Sequence, residues 1–266
     1  MKENFLEDIV QVVKECADIM LEARDIDRTV ITKEGHANFV TAYDKRVQQE
    51  LFSRLGKLFP EAKFLGEEDE ERQNCKWEEG MLFIIDPIDG TSNFMKAIDH
   101  SCISVGVAID GKRYAGVIYD PYKDECFTAE RGKGAYRNGK AIHVSDTDLA
   151  HSLVIYGTSP YYDDLCDRSF LMAREYCREA MDVRRSGSAA LDLCDVACGR
   201  YGMFFELKLQ PWDFSAGIVI VEEAGGSVLT EEGTKLPLVE ASSIFARNGV
   251  IDDSMIKQSM KERYGL

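Results

Sequence analysis

The stretch Met81-Leu82-Phe83-Ile84-Ile85-Asp86-Pro87-Ile88-Asp89-Gly90-Thr91-Ser92-Asn93-Phe94 decides how this chain is read. Met81 to Ile85 has the length and branching of a buried strand, and Pro87, with no N–H to give to a sheet, predicts its end. Asp86 and Asp89 then lie on the turn. Gly90 lets the backbone come close to a ligand, and Thr91, Ser92 and Asn93 are residue types that cap a helix, whose free N–H groups attract anions. A cation held by the two carboxylates would meet an anion held by that helix start. Taken alone, Asp-Pro-Ile-Asp-Gly reads equally well as a surface turn, where these residues occur for conformational reasons.

Upstream, Phe5, Leu6, Ile9, Val10, Val13, Cys16, Ala17, Met20 and Leu21 recur at three- and four-residue steps, the pattern of an amphipathic helix. A second helix is expected over Asp44 to Leu58 and a strand over Lys63 to Leu65. Downstream, strands over Ser101 to Ile109, Tyr114 to Tyr119, Glu125 to Glu130 and Gly134 to Arg137 follow closely, with hairpin chemistry at Asp110-Gly111 and Asn138-Gly139. This predicts an antiparallel sheet. After Asp146, strands near Leu153 to Tyr156, Asp182 to Arg184, Met203 to Glu206 and Ser227 to Leu229 alternate with helices around Asp164 to Glu179, Ser188 to Cys198 and Phe214 to Glu223, an α/β pattern. No Pro-, Ser- or Gly-rich linker separates the parts, so 1–146 and 147–266 are read as two subdomains of one domain sharing a cleft.

With 266 residues and 45% hydrophobic composition, the chain can bury a substantial core. A formal net charge of −15 argues against nucleic acid and anionic membrane as partners, and a phosphorylated ligand would need metal ions, backbone N–H groups or a local basic spot. In the acidic block Glu67, Glu68, Asp69, Glu70 and Glu71, only Glu67 has a motif-based claim to chemistry, and the rest read as a solvated face. The eight cysteines are scattered without CxxC pairs and no signal peptide precedes them, so a reducing cytoplasm is expected. Cys194 and Cys198 read as buried small hydrophobes rather than zinc ligands. No apolar run approaches the ~20 residues of a membrane span.

The blocks Thr41-Ala42-Tyr43-Asp44, Gly66-Glu67-Glu68, Asp86 to Phe94, Gly187-Ser188-Ala189-Ala190 and Trp212-Asp213-Phe214-Ser215-Ala216-Gly217 resemble, in order and over most of the chain, those of the inositol monophosphatase family of magnesium-dependent, lithium-sensitive phosphatases. The resemblance implies a layered α/β/α/β/α sandwich, a homodimer and hydrolysis of a phosphate monoester. That reaction is among the slowest in water, so it calls for strong electrostatic help at the attacking and leaving oxygens. Two or three Mg²⁺ ions can supply it, and an oxygen-only donor set without His suits magnesium over zinc.

By resemblance, Glu67, Asp86 and the Ile88 carbonyl hold a first ion, Asp86, Asp89 and Asp213 a second, and Glu67 helps with a third. A metal-bound water is the nucleophile the family implies, with Thr91 accepting or relaying its proton and Glu67 behind it. The N–H groups of Gly90 and Thr91 are expected to hold the phosphate. Thr91 also reads as a helix N-cap, and Asp44 reads either as an acid near the metals and Thr91 or as the N-cap of its own helix. Lys33, in Ile31-Thr32-Lys33-Glu34-Gly35, resembles part of a loop that closes over the metals.

On the substrate side stand Gly187, Ser188 and Ala189 at a helix start and Glu206 at a strand end. In relatives that take inositol phosphates, the acid matching Glu206 binds ring hydroxyls, which suits a carboxylate's capacity to accept paired hydrogen bonds. Leu207-Lys208-Leu209-Gln210-Pro211 and the paired Arg184-Arg185 depart from the commoner pattern and leave a second phosphate open, as in fructose 1,6-bisphosphate. Nucleotide 3′-phosphates and dinucleotide 2′-phosphates are further alternatives on the same fold. A non-catalytic regulatory protein is the reading of a different class, since some bacterial relatives interact with transcription machinery.

Overall fold

The computed structural model describes residues 4–23, 31–32, 39–69 and 77–265. From the amino end come α1 (Phe5–Leu21), the short antiparallel pair β1 (Ile31–Thr32) and β2 (Phe39–Val40), and α2 (Ala42–Leu58). A seven-stranded sheet follows in the order β3 (Lys63–Gly66), β4 (Met81–Asp89), β5 (Cys102–Ile109), β6 (Lys112–Asp120), β7 (Glu125–Glu130), β8 (Ala135–Arg137) and β9 (Lys140–Ala141), with α3 (Thr91–Met95) between β4 and β5. Only β3 and β4 run parallel, and the rest is the expected antiparallel meander. Asp110-Gly111 and Asn138-Gly139 turn their hairpins with positive φ at both residues, the backbone twist such two-residue loops require.

The second half contributes β10 (Leu153–Tyr156), α4 (Asp163–Glu179), β11 (Asp182–Arg184), α5 (Ala189–Ala197), β12 (Met203–Leu209), α6 (Pro211–Glu223), β13 (Ser227–Leu229), β14 (Ser242–Arg247) and α7 (Ser254–Tyr264). Its sheet runs β11-β10-β12-β14-β13, parallel across the first three and antiparallel at β14 and β13. β14 and α7 were not expected from the sequence. Ser242 and Ser243 open β14 on polar residues, and α7 buries only Ile256 and Met260, too little for a clear apolar stripe.

Alternating side chains sort the layers. Phe83, Ile85, Val105 and Val117 face α1 and α2, whereas Ile118 and Phe127 face α5 and α6. On the second sheet Ile155, Phe204 and Ile244 also meet α5 and α6, while Val154, Phe205 and Phe245 meet α4 and α7. The result is the α/β/α/β/α sandwich. Its middle layer is α5 and α6, and in α6 Phe214, Ile218, Val219, Ile220 and Val221 are all buried, each worth about 1.5–3 kcal/mol in burial.

One expectation needs correcting. β4 does not stop at Pro87 but continues to Asp89, because three steps on β4 (Asp86 to Asp89) face two on β5 (Ser104 to Cys102). The extra residue is a bulge. Proline fits there because an interrupted ladder asks it for no hydrogen bond.

α6 lies against the first sheet at backbone contact distance. A Cβ on Gly116 would sit 2.4 Å from the Ala216 carbonyl oxygen, and one on Gly106 2.7 Å from Ser215 Cβ. Gly116→Ala is therefore expected to cost about 1–3 kcal/mol in urea unfolding. Gly56→Ala on α2, where the new Cβ has open space to 4.0 Å, is expected to stabilise by about 0.5–1 kcal/mol. Equal effects of the two substitutions would show that the α6 contact is not tight.

Candidate active site

Three carboxylates meet where the bulged end of β4 faces the start of α6. Asp86, Asp89 and Asp213 each place one oxygen within 4.8 Å of the others. Asp86 Oδ1 accepts the Ile88 N–H at 3.0 Å, which folds the bulge. Asp89 Oδ2 accepts the Ala190 N–H at 2.9 Å and the Ser188 hydroxyl, so it is held by the start of α5. Asp213 stands third in α6 after Pro211, and its Oδ2 accepts the Gln210 N–H at 2.7 Å in a capping box. Ser104 on β5 donates to the Trp212 carbonyl at 3.3 Å and fixes the same helix start.

Burial raises the pKa of Asp86, Asp89 and Asp213, and mutual repulsion with Glu67 adds to it for Asp86 and Asp213. Two carboxylates about 4 Å apart repel by roughly 4 kcal/mol at an effective dielectric constant near 20. Such a group needs either protons or a cation. The donors are all hard oxygens, which fits a divalent cation of the magnesium or calcium type. Glu67, at the end of β3, donates its N–H to the Ile85 carbonyl at 3.2 Å and is half-buried. Its neighbours are less solvated than the sequence suggested. Asp69 accepts the Gly66 N–H at 2.9 Å, and Gln48 on α2 donates to Asp69 at 3.0 Å and accepts the Glu68 N–H at 3.0 Å. Glu70 and Glu71 lie outside the described residues.

Asp44 and Thr91 form a second unit beside the acids. The N-cap of α2 is Thr41, not Asp44. Asp44 is the third helical residue, and its Oδ2 accepts the Thr41 N–H at 2.8 Å. Its other oxygen, Oδ1, accepts from Thr91 Oγ1 at 3.2 Å, and Thr91 Oγ1 also lies 3.0 Å from the Ile88 carbonyl. A hydroxyl has one proton, so it serves one of these acceptors at a time and keeps its lone pairs for a third group. Burial raises the Asp44 pKa. Thr91 is likewise not a cap. Gly90 is the N-cap of α3, at φ 88°, and Thr91 is the first helical residue. Glycine suits Gly90 twice, since a Cβ would also lie 3.1 Å from the His100 carbonyl oxygen and 3.3 Å from that of Gly187.

The second half supplies the facing wall. Ser188 caps α5, accepting the Leu191 N–H at 3.4 Å, with Gly187 before it and Ala189 after. Glu206 on β12 is 8% exposed and accepts the Ser159 N–H at 2.9 Å. Burial pushes its pKa up to about 7, against the Ser159 hydrogen bond and the charge of Arg185, with Asp89 adding to the rise. Of the arginine pair, Arg185 thus acts on Glu206, whereas Arg184 pairs with Asp182 and donates to the Val183 carbonyl at 2.8 Å. Lys33 lies outside the described residues.

The sequence reading missed three contributors. Asn93 Nδ2 donates to the His100 carbonyl at 2.8 Å and to the Ser186 carbonyl at 3.0 Å, tying the β4 loop to the α5 loop. Its place in the opening stretch was the available signal. Ser159 has φ 43° and holds Glu206, and the only signal for it was Pro160 beside it, a residue type common in turns. Tyr161, at the same turn, has its pKa pushed up to about 12 by burial of its hydroxyl end and by Glu67, Asp213, Glu206 and Asp86.

The model of the inositol monophosphatase family matches residues 1–264. The chain belongs to that family. It is 37% identical to Inositol monophosphatase 3 of Solanum lycopersicum over 259 residues, 96% of each chain. It is also 37% identical to Nus factor SuhB of Escherichia coli over 203 residues, 76% of this chain and 75% of that one. Among solved structures, the extragenic suppressor protein suhB of Bartonella henselae superposes with a TM-score of 0.87 at 33% identity, covering 99% of this chain and 100% of that one. Membership of the family makes phosphatase chemistry and metal binding the frame for the acidic cluster.

The raised carboxyl groups carry a consequence for stability. Glu206 binds its proton more tightly folded, at about 7 against 4.5 in the open chain, so the folded state holds more protons between those values. Stability contributed by the proton is full below about pH 4.5 and is lost as pH rises through 7, by roughly 3 kcal/mol for Glu206. The metal-free protein is therefore expected to show a falling Tm over that window. Divalent cation is expected to restore Tm at pH 8 and do little at pH 5. A Tm that rises steadily with pH without metal would contradict the buried acids.

Proposed function

We propose that the chain hydrolyses a phosphate monoester of a sugar or cyclic polyol, inositol monophosphate first among them, with two or three Mg²⁺ ions as cofactor. The observation that carries this reading is the convergence of Asp86, Asp89 and Asp213 beside the Thr91–Asp44 hydrogen bond. Glu67, Asp86, Asp89, Asp213 and the Ile88 carbonyl are the oxygens that would hold the cations. When bound, magnesium supplies positive charge to the attacking and departing oxygens. Thr91 stands to pass a proton toward Asp44, with Glu67 assisting, and Asp44 is oriented for this by Thr41. The Gly90 and Thr91 N–H groups are assigned to the phosphate. Gly187, Ser188 and Ala189 line the leaving-group side, and Glu206 accepts hydrogen bonds from its hydroxyls.

SaIMPase-II, solved with inositol monophosphate bound and again with 2′AMP bound, is 27% and 28% identical to this chain. Both a polyol and a nucleotide ester therefore belong in a substrate panel, and Arg185 adds fructose 1,6-bisphosphate. A homodimer, lithium sensitivity and a cytoplasmic location complete the proposal. The seven cysteines among the described residues are all unpaired, in keeping with a reducing compartment, and no described helix is long and apolar enough to cross a membrane. A second reading, a regulatory protein that acts through a protein partner, rests on the relatives named Nus factor SuhB.

Phosphate release across inositol 1-phosphate, fructose 1,6-bisphosphate, 2′AMP and glycerol 2-phosphate, with and without Mg²⁺, tests the proposal. Magnesium-dependent turnover of at least one ester is expected, and none would leave the regulatory reading. Asp89→Asn is expected to lower kcat by at least about a hundredfold while Tm holds or rises, since one of three crowded charges is gone. Unchanged turnover would remove Asp89 from the metal set. Millimolar lithium is expected to inhibit the wild-type enzyme.

A further inference from the structure

Tyr161 stands at the tip of a tight turn built to hold it. The Tyr162 N–H returns to the Ser159 carbonyl at 3.0 Å, and Pro160 sits at the second position, where its fixed φ stiffens the turn. The turn is bolted to β12 at several points. Gly157 N–H donates to the Phe205 carbonyl at 2.9 Å, Ser159 N–H to Glu206 Oε1 at 2.9 Å, and Lys208 N–H to Ser159 Oγ at 3.0 Å. Lys208 Nζ also lies 3.9 Å from the centroid of the Tyr162 ring. Despite this anchoring, Tyr161 is 52% exposed. Its hydroxyl end is nevertheless within electrostatic reach of Glu67, just past the end of β3, and of Asp86, Asp213 and Glu206 from β4, α6 and β12. A half-exposed aromatic ring thus stands on the same turn that grips Glu206, at the side where the second sheet presents that acid.

We propose that Tyr161 is a specificity-determining residue whose ring stacks on the C–H face of a cyclic polyol or sugar phosphate while Glu206 accepts hydrogen bonds from that ring's hydroxyls. Such a ligand carries hydroxyls on its rim and apolar C–H groups on its faces. A carboxylate at the edge and an aromatic plane at the face satisfy both at once. The same turn sets the two groups, because Ser159 grips Glu206 two residues before Tyr161. An acyclic ester offers no rigid face and gains little from the plane. The inference rests on the phosphatase reading and narrows its substrate class to ring alcohols.

The test compares Tyr161→Ala and Tyr161→Phe with the wild type on inositol 1-phosphate and on glycerol 2-phosphate, both with Mg²⁺. Tyr161→Ala is expected to raise KM for the ring ester about five- to tenfold with kcat held within about twofold, and to change either constant for glycerol 2-phosphate by less than about twofold. Tyr161→Phe, which keeps the plane, is expected to retain the wild-type KM for the ring ester. An equal loss on both esters, or an unchanged KM for the ring ester in Tyr161→Ala, overturns the assignment. If the wild type hydrolyses neither ester, the phosphatase reading is what fails. Calorimetric binding of inositol 1-phosphate in the presence of Ca²⁺ then decides: weaker binding by Tyr161→Ala supports the wall, and equal affinity or no binding by either protein overturns it.

Discussion

Everything in this molecule depends on how closely α6 can lie between two sheets. The helix is apolar on all sides because it has sheet on both, and it reaches backbone contact only because Gly106 and Gly116 offer no side chain beneath Ser215 and Ala216. That approach brings the first turn of α6, and Asp213 with it, up to the bulged end of β4. A helix displaced by one methyl group would separate carboxylates whose usefulness lies in being crowded. The packing of the middle layer and the chemistry at its edge are therefore one constraint.

The crowding has a cost that the fold distributes. Asp86 is turned by its own bulge, Asp89 is held by the start of α5, and Asp213 by its capping box. Each carboxylate thus accepts at least one hydrogen bond from the scaffold while offering an oxygen to the cluster. The hydrogen bonds orient the acids without cancelling their charge, and burial continues to favour protonation or a cation.

Much of this was readable from residues. The run Met81 to Ile85 announced a strand buried on both faces, and Asp-Gly and Asn-Gly announced the hairpins, because those signals are local in the chain. Asp86 and Asp89 stood out on the turn that follows the strand, whereas Asp213 was joined to them only through resemblance to family blocks. Local pattern could not show that Pro87 sits in a bulge, since a bulge is defined by the partner strand. Of the two readings of Asp44 and Thr91, the capping one falls to their neighbours: Thr41, three residues before Asp44, and Gly90, just before Thr91, hold the cap positions, which leaves Asp44 and Thr91 to meet each other. The turn that carries Ser159 and Tyr161 was invisible as a site because its meaning comes from Glu206, far along the chain.

The central position of α6 also bears on how the chain is made. Synthesis runs from the amino end, so β5 and β6 emerge with one face ready for α1 and α2 and the other bare. The helix that covers that second face, Pro211–Glu223, leaves the ribosome about ninety residues after Asp120, a wait of roughly 5–20 seconds at ordinary elongation rates. During that interval an apolar sheet surface around Ile118 and Phe127 is without its cover. A nascent chain of this design is a natural client for a holding chaperone until its last third appears.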